Sequence, residues 1–596
     1  MKMALGIMVA AIDFGSSYSG WAYSFADDFK MDPTAVSIKH WPTASLVSEK
    51  APTAVLIHPD GKTFKAFGYD AEDKYSELAE QGQHQAWYYF RRFKMLLMDR
   101  IVLKRGTKIE DETGKKLPAI TVFSVAIKYM KDDLWSECSV RIAGDILPEE
   151  IMWVLTVPAI WKDSAKQFMR EAAKQAGIQP DQLKIALEPE AASLFCRHLP
   201  IERMNGEISI SSLAEASTYM VIDAGGGTVD ITVHKILEGG KLKEVLQASG
   251  GAWGGTLVDD AYRQFLISIV GDPVLQLFAT DHMEDHIGMI REFENKKRNV
   301  HPKIPEEETT KDGNVSNIEQ QKESKITIRF PVALKDTFRE QTGKHLEEAI
   351  KDMKFSNKVE LLRDKIRIDA EVMRSFFETA TCSIVEHVKM LFKKPEMEDV
   401  NIILMVGGFS DSKILQNAIR KNFPDKKVVV PREAGNSILK GAVIFGHNPC
   451  AISERIAKYT YGMAVIKPFV EGQHDERYLN VSADGLIHSK DIFATLVAIG
   501  QSLKCDGSLK IECHAPDSQA TIAVVRFFAT LNKSPNYVTD IGCLQIGEMI
   551  LNIDTSIPYN HRSFSIALYL GDTEIHAKAF EKSTGRETIC LLNFLQ

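Results

Sequence analysis

"AIDFGSSYSGWAYSF" (residues 11–25) and "VIDAGGGTVDITVHK" (residues 221–235) are two copies of one pattern. In each, an apolar run ends in Asp-x-Gly, a turn of small residues follows, and a second strand-like run returns. Val9, Ala10, Ala11 and Ile12 suit a short buried strand, and Gly15 tolerates turn angles that a Cβ atom forbids. The longer apolar run from Ala4 to Ile12 has the length of a signal-peptide core. Yet only Lys2 precedes it, and Asp13 stands where small residues should prepare cleavage. A spanning helix needs about 20 apolar residues, and no window of that length here escapes charged or turn-forming residues. The expectation is a soluble, cytoplasmic chain.

The question is then why two buried strands end in a carboxylate. Gly15, Ser16 and Ser17 in the first copy, and Gly225, Gly226 and Gly227 in the second, leave backbone amides uncovered in tight turns. Exposed amides of that kind cradle phosphate oxygens. Two such hairpins facing each other would grip a polyphosphate from both sides, with Asp13 and Asp223 holding hydrated Mg²⁺ between them. Magnesium keeps several waters and takes one or two carboxylates beside phosphate, so two widely spaced aspartates suit it. Strand-end capping is the plainer role for each Asp alone; the matched pair favours phosphate.

Composition bounds the rest. A chain of 596 residues exceeds what one core fills and implies several domains. Its 44% hydrophobic and 26% charged residues are those of an ordinary globular protein, and a net charge of -8 gives no electrostatic reason for a nucleic acid partner. Eight cysteines without Cys-x-x-Cys spacing read as reduced thiols. Strand-like and helix-like runs alternate up to about residue 450, which points to an α/β architecture. "KDSAKQFMREAAKQAGI" (162–178) has apolar residues at helical spacing and Gly177 as its stop. Residues 301–325 are polar and read as a solvated excursion. Beyond residue 450, short runs such as "ATIAVVRFFATL" and "SFSIALYLG" between turn residues indicate an antiparallel β module, most simply a sandwich. The expected units are 1–215, 216–450 and 451–596.

The paired hairpins resemble the phosphate loops of the actin, sugar-kinase and 70-kDa heat-shock ATPase superfamily. Further segments, in order over about the first 445 residues, single out the heat-shock branch. "VLTVPAIW" (154–161) resembles that family's cross-over segment, and "ALEPEAASLF" (186–195) its next strand-to-helix turn. "REFENKKRNVH" (291–301) resembles the adenosine-binding helix, "ILMVGGFSDSKILQNAI" (403–419) the second adenosine loop, and "ILKGAVIFG" (438–446) the closing helix. The chain departs from the mainstream family where "NPCAISERIAKY" (448–459) replaces an apolar, acidic linker. It departs again where Phe409 and Asp411 replace the usual serine and arginine, and where no helical lid follows the β module. These features, with "YTYGMAVIKPFVEGQH" and "LGDTEIHAKAF", are similar to the divergent heat shock 70 kDa twelve subgroup.

The resemblance implies an actin-like ATPase fold of two related half-domains around a nucleotide cleft, plus a small C-terminal β-rich domain. It implies ATP or ADP with Mg²⁺ as cofactors. Asp13 and Asp223 would serve the metal; Ser16, Ser17, Tyr18 and Thr228, with the glycines of both turns, the phosphates; Gly255 the phosphate-side loop around Trp253. Glu294, Lys297 and Arg298 share a helix face at i, i+3 and i+4 and would surround base and ribose, with Gly407 and Gly408 opposite. Glu188 would orient the attacking water. The family's charge-stabilising lysine falls in "YYFRRFKMLL" (88–97), where the register gives Arg92, with Lys94 two residues on as the alternative. Three functions remain open: a chaperone-like switch with weak ATP hydrolysis, a nucleotide-sensing scaffold, and a small-molecule kinase. The first two would engage a polypeptide client or signalling partner through the β module.

Overall fold

The computed structural model describes residues 6–42, 47–99, 103–141, 146–199, 215–303, 325–351, 356–481, 485–505, 507–515, 519–571, 573–581, 585–591 and 594–595. Almost all of the polar excursion expected at 301–325 lies outside these residues.

Two mixed sheets carry the first three quarters of the chain, and both are assembled in the same way. In one, Met8–Asp13 forms an antiparallel hairpin with Tyr18–Phe25 and runs parallel to Ile151–Val157, which in turn runs parallel to Leu183–Leu187. In the other, Thr218–Ala224 forms a hairpin with Val229–Ile236 and runs parallel to Val400–Val406, itself parallel to Lys427–Val429. Every residue of Met8–Asp13 and of Thr218–Ala224 is buried, which explains their unbroken apolar runs: a strand covered on both faces has no polar side. The family reading and this mixed α/β arrangement fit an actin-like fold.

Helices cover the outer faces. The helix expected after residue 162 forms over Asp163–Gln175 and buries Ala165, Phe168, Met169, Ala172 and Ala173, with Gly177 at φ +89° behind it. Between the sheets, helix Glu188–Cys196 lies against helix Ser437–His447. A Cβ on Gly441 would stand 1.7 Å from the carbonyl oxygen of Ala191, so glycine is what lets the two helices touch. A shared core of Val9, Val154, Val221, Leu404 and Val443 closes this seam.

The C-terminal strands make two antiparallel sheets. One runs in the order Leu479–Val481, Ile487–Val497, Thr460–Pro468, Ile522–Thr530, Leu544–Asn552; the other in the order Ser508–His514, Ser563–Tyr569, His576–Glu581, Glu587–Leu591. Met463, Phe527, Ile546, Phe564, Ile566 and Leu568 fill a common core between them, as a sandwich requires. Among the described residues, no α-helix follows His447, and no helix is long and apolar enough to cross a membrane.

The polar stretch 448–459 is an ordered element. Ile452–Ile456 adds to the second mixed sheet, parallel to Leu242–Gly251 and antiparallel to Ser502–Lys504 from the β module. Its polarity has a partner inside the fold: Arg455 meets Glu190 through Nε and Nη2, at 2.9 and 2.8 Å, with both side chains buried. Arg455 Nη1 also donates to the carbonyl of Gly571 in the β module. Around it, Lys458 reaches the carbonyl of Trp161, Lys166 that of Thr573, and Arg170 pairs with Glu574. Removing one member of a buried ion pair leaves the other charge unpaired and costs about 3–5 kcal/mol. Arg455→Met should therefore lower stability by about that amount in urea unfolding, and adding Glu190→Gln should recover part of it.

Candidate functional site

The two turns after the buried strands meet face to face. A Cβ on Gly226 would lie 2.3 Å from Ser17 Oγ, and one on Gly227 would lie 2.8 Å from Ser16 Oγ. No larger residue at either position leaves room for this approach. The second turn is held from behind: the amides of Gly254, Gly255 and Thr256 donate to the carbonyls of Gly227, Gly225 and Gly226. Trp253 anchors that loop by packing on Gly251 and beside His387, so the aromatic is a packing residue.

A cleft of about 350 Å³ opens between the turns. Asp13, Gly15, Ser16, Ser17 and Tyr18 line one side; Asp223, Gly225, Gly226, Gly227, Thr228 and Gly255 line the other. Glu188 lies at its floor. Glu294, Lys297 and Arg298 meet Gly407 and Gly408 at its far end, together with Phe409 and Asp411. Gly407 stands at φ +84°, and a Cβ there would sit 2.4 Å from Asp223 Oδ1. Sequence reasoning missed Lys50, which also lines the cleft.

Arg92 is the expected residue that the cleft lining does not include. Its guanidinium bridges Asp259 at 2.9 Å and Glu294 at 3.0 Å, which ties the two halves together outside the pocket. Lys94 takes the inner position, its Nζ 2.6 Å from Glu188 Oε1 with both side chains nearly covered. The reason is local backbone geometry: Arg92 sits at φ +49° ahead of the turn Phe93–Met95, which directs the two cations to different neighbours. Tyr18 donates to Glu294 at 3.1 Å, Arg298 lies over the Tyr18 ring, and Lys297 pairs with Asp259. The Tyr18 contacts run across the cleft mouth, whereas Lys297–Asp259 joins two helices on one side of it.

The electrostatics follow from burial. Asp13 resists ionisation through burial, but Lys50 at 2.5 Å, with Lys94 and Thr156 adding to it, holds its carboxyl below the ordinary range. Glu188 is pushed up to about 7 by burial, which Lys94 only partly offsets. Asp223 is raised well above the carboxylate range by burial and by Glu188 and Asp230. Asp230, whose Oδ1 accepts from the Ile160 amide, rises to about 6, mainly through burial.

The fit to a divalent cation is uneven. Asp223 Oδ1 is buried and accepts no hydrogen bond, the kind of orphaned donor oxygen that a metal satisfies. Asp13 has both oxygens engaged, Oδ1 by Thr156 and Oδ2 by Lys50. Among the described residues, no cluster of three or more His, Cys, Asp or Glu side chains forms a metal cage. The donor set fits an ion bound mainly through phosphate and water, with Asp223 as its protein carboxylate.

Comparison with known proteins agrees with this geometry. The family model described as Hsp70 protein matches residues 102–358. The chain is 31% identical to heat shock 70 kDa protein 12A of Mus musculus, over 99% of this chain and 92% of that one. It is 32% identical to heat shock 70 kDa protein 12B of Homo sapiens, over 99% and 91%. Chaperone protein dnaK of Cyanidium caldarium is 25% identical over 49% of this chain and 39% of its own. With identity of this level along nearly the full length of two relatives, the chain belongs to the heat shock 70 kDa protein family, as a divergent 12A/12B-like member and an ATP-binding protein of that kind.

Proposed function

We propose that the chain is a nucleotide-dependent, chaperone-like switch: two actin-like half-domains close over ATP, hydrolyse it slowly, and change the hold of the C-terminal β module on a polypeptide. The observation that carries this reading is one short helix start. Glu188 faces the cleft beside Lys94, and Glu190, two residues on, grips Arg455, which also binds Gly571 of the β module. A shift of this turn on nucleotide binding would reach the β module through a single buried ion pair. Coupling of this kind needs the module to bind differently in two states, and a direct mechanical link is one way to supply that.

In the proposed chemistry, the phosphates are held by the hydroxyls of Ser16, Ser17 and Thr228 and by the turn amides other than those of Gly15 and Gly225, which donate instead to Ser19 Oγ and to the Thr228 carbonyl. Lys94 offsets negative charge on the transferring phosphoryl group, the role first expected of Arg92; Arg92 serves instead to hold the cleft closed through Asp259 and Glu294. Glu188, ionised, orients the attacking water, which suits a loose transition state stabilised by positioning and charge. Mg²⁺, when bound, would neutralise phosphate oxygens, with Asp223 as its carboxylate. Glu294, Lys297 and Arg298 hold the nucleoside end.

A scaffold that binds nucleotide without turning it over is the second reading. Replacement of the usual linker by a sheet strand favours it, whereas a lysine beside Glu188 favours hydrolysis. Single-turnover hydrolysis separates the two. Glu188→Ala and Lys94→Met should each slow it by about 100-fold or more while ATP affinity changes far less. No hydrolysis in the parent chain despite firm ATP binding would leave the scaffold.

The acid–base state of Glu188 adds a second test. The carboxylate is the working form and its midpoint lies at about 7, so turnover should rise with pH through neutrality and level off above it. ATP binding measured over the same range should not follow that curve. A flat rate profile would remove Glu188 from the water-orienting role. For the coupling, ATP should alter the protease sensitivity of the β module in the parent chain. Arg455→Met should abolish that response while leaving ATP binding in place.

A further inference from the structure

The aspartates at the ends of the two matched strands are alike in sequence and position, but they differ in what surrounds them. Asp223 keeps one buried oxygen without a partner. Asp13 is fully countered by its own chain: Thr156 Oγ1 donates to Oδ1 at 2.7 Å, and Lys50 Nζ to Oδ2 at 2.5 Å. The same ammonium donates to the carbonyl of Gly435 at 2.7 Å, on the opposite wall of the cleft. Lys50 is mostly covered, and it lines the pocket together with Ser16, Ser17 and the glycines of the second turn. Next to it, Glu49 accepts from Asn436, so two consecutive residues of one loop clasp the turn Ala434–Asn436.

We propose that Lys50 is a resident cation of the nucleotide cleft: its ammonium occupies the flank of Asp13 that a divalent ion would otherwise serve, and presents positive charge to the polyphosphate. Nucleotide binding by this chain then depends only weakly on Mg²⁺. The inference rests on the nucleotide-binding reading given above.

The chemistry supports the assignment. An ammonium has three donors, and Asp13 and Gly435 take two of them, which leaves one for a phosphate oxygen. A compact point charge at the end of a flexible stem suits this task better than a planar guanidinium would. Charge-assisted bonds to a carboxylate or a phosphate are the stronger kind, so a single lysine can neutralise Asp13 and still attract the ligand. Its position across the cleft also makes the contact sensitive to closure, because Asp13 and Gly435 belong to opposite walls.

The test is equilibrium ATP binding to the full chain, measured by competition with a fluorescent ATP analogue in excess Mg²⁺ and again in excess EDTA. The parent chain should lose no more than about threefold in affinity when the metal is removed. Lys50→Gln should bind well with Mg²⁺ but lose at least about tenfold in EDTA, and Lys50→Arg should fall between the two. A parent chain that binds ATP in Mg²⁺ and loses it in EDTA overturns the inference and leaves the nucleotide reading intact. That arm needs no variant, so it decides even if Lys50→Gln fails to fold. Equal effects of Lys50→Gln with and without metal would make Lys50 a tie between walls and also overturn the inference. No ATP binding under either condition would overturn both readings.

Discussion

Four carboxylates, Asp13, Glu188, Asp223 and Asp230, are buried around one cleft and raise one another's cost of ionisation. Like charges cannot share a poorly solvated space without cations or protons. The chain answers with Lys50 on Asp13 and Lys94 on Glu188, while Asp223 is left with a free oxygen and a strong preference for its proton. The distribution of these two lysines sets which carboxylate carries charge, and so which can orient water or receive a metal. Much of the surrounding architecture serves to keep these groups close and dry.

That architecture depends on close backbone approaches. Gly226 and Gly227 let the two turns meet, Gly407 lets its loop pass over Asp223, and Gly441 lets the central helices touch at Ala191. A side chain at any of these positions would force apart the walls that hold the carboxylates. The contacts across the cleft mouth, from Tyr18 and Arg92 to Glu294 and from Glu49 to Asn436, are polar and partly exposed. Polar ties of that sort exchange with water at modest cost, whereas the seam around Gly441 is apolar and tightly packed.

The β module joins this system through a segment whose sequence looks like a solvated connector. Ile452–Ile456 becomes a sheet strand because its neighbours offer an open edge in Leu242–Gly251, and because Glu190 supplies the counter-charge that Arg455 needs in order to be buried. Neither condition is visible within residues 448–459. The sandwich itself was easier to anticipate, since alternating apolar residues between turns are a local signal.

What the sequence determined by itself is local. The repeated Asp-x-Gly hairpins, the Asp163–Gln175 helix and the alternation of the C-terminal strands each express a period or a turn within a dozen residues, and each could be read from those residues alone. What only the tertiary structure decided is the assignment of charge partners. The register favours Arg92 for the place beside Glu188, and it is the positive φ at Arg92, sending it and Lys94 to different neighbours, that gives the place to Lys94. Lys50 has no motif, because its partners Asp13 and Gly435 lie far away in the chain and on opposite walls. Burial makes an ionic partner obligatory, but which residue supplies it depends on the packing of distant segments.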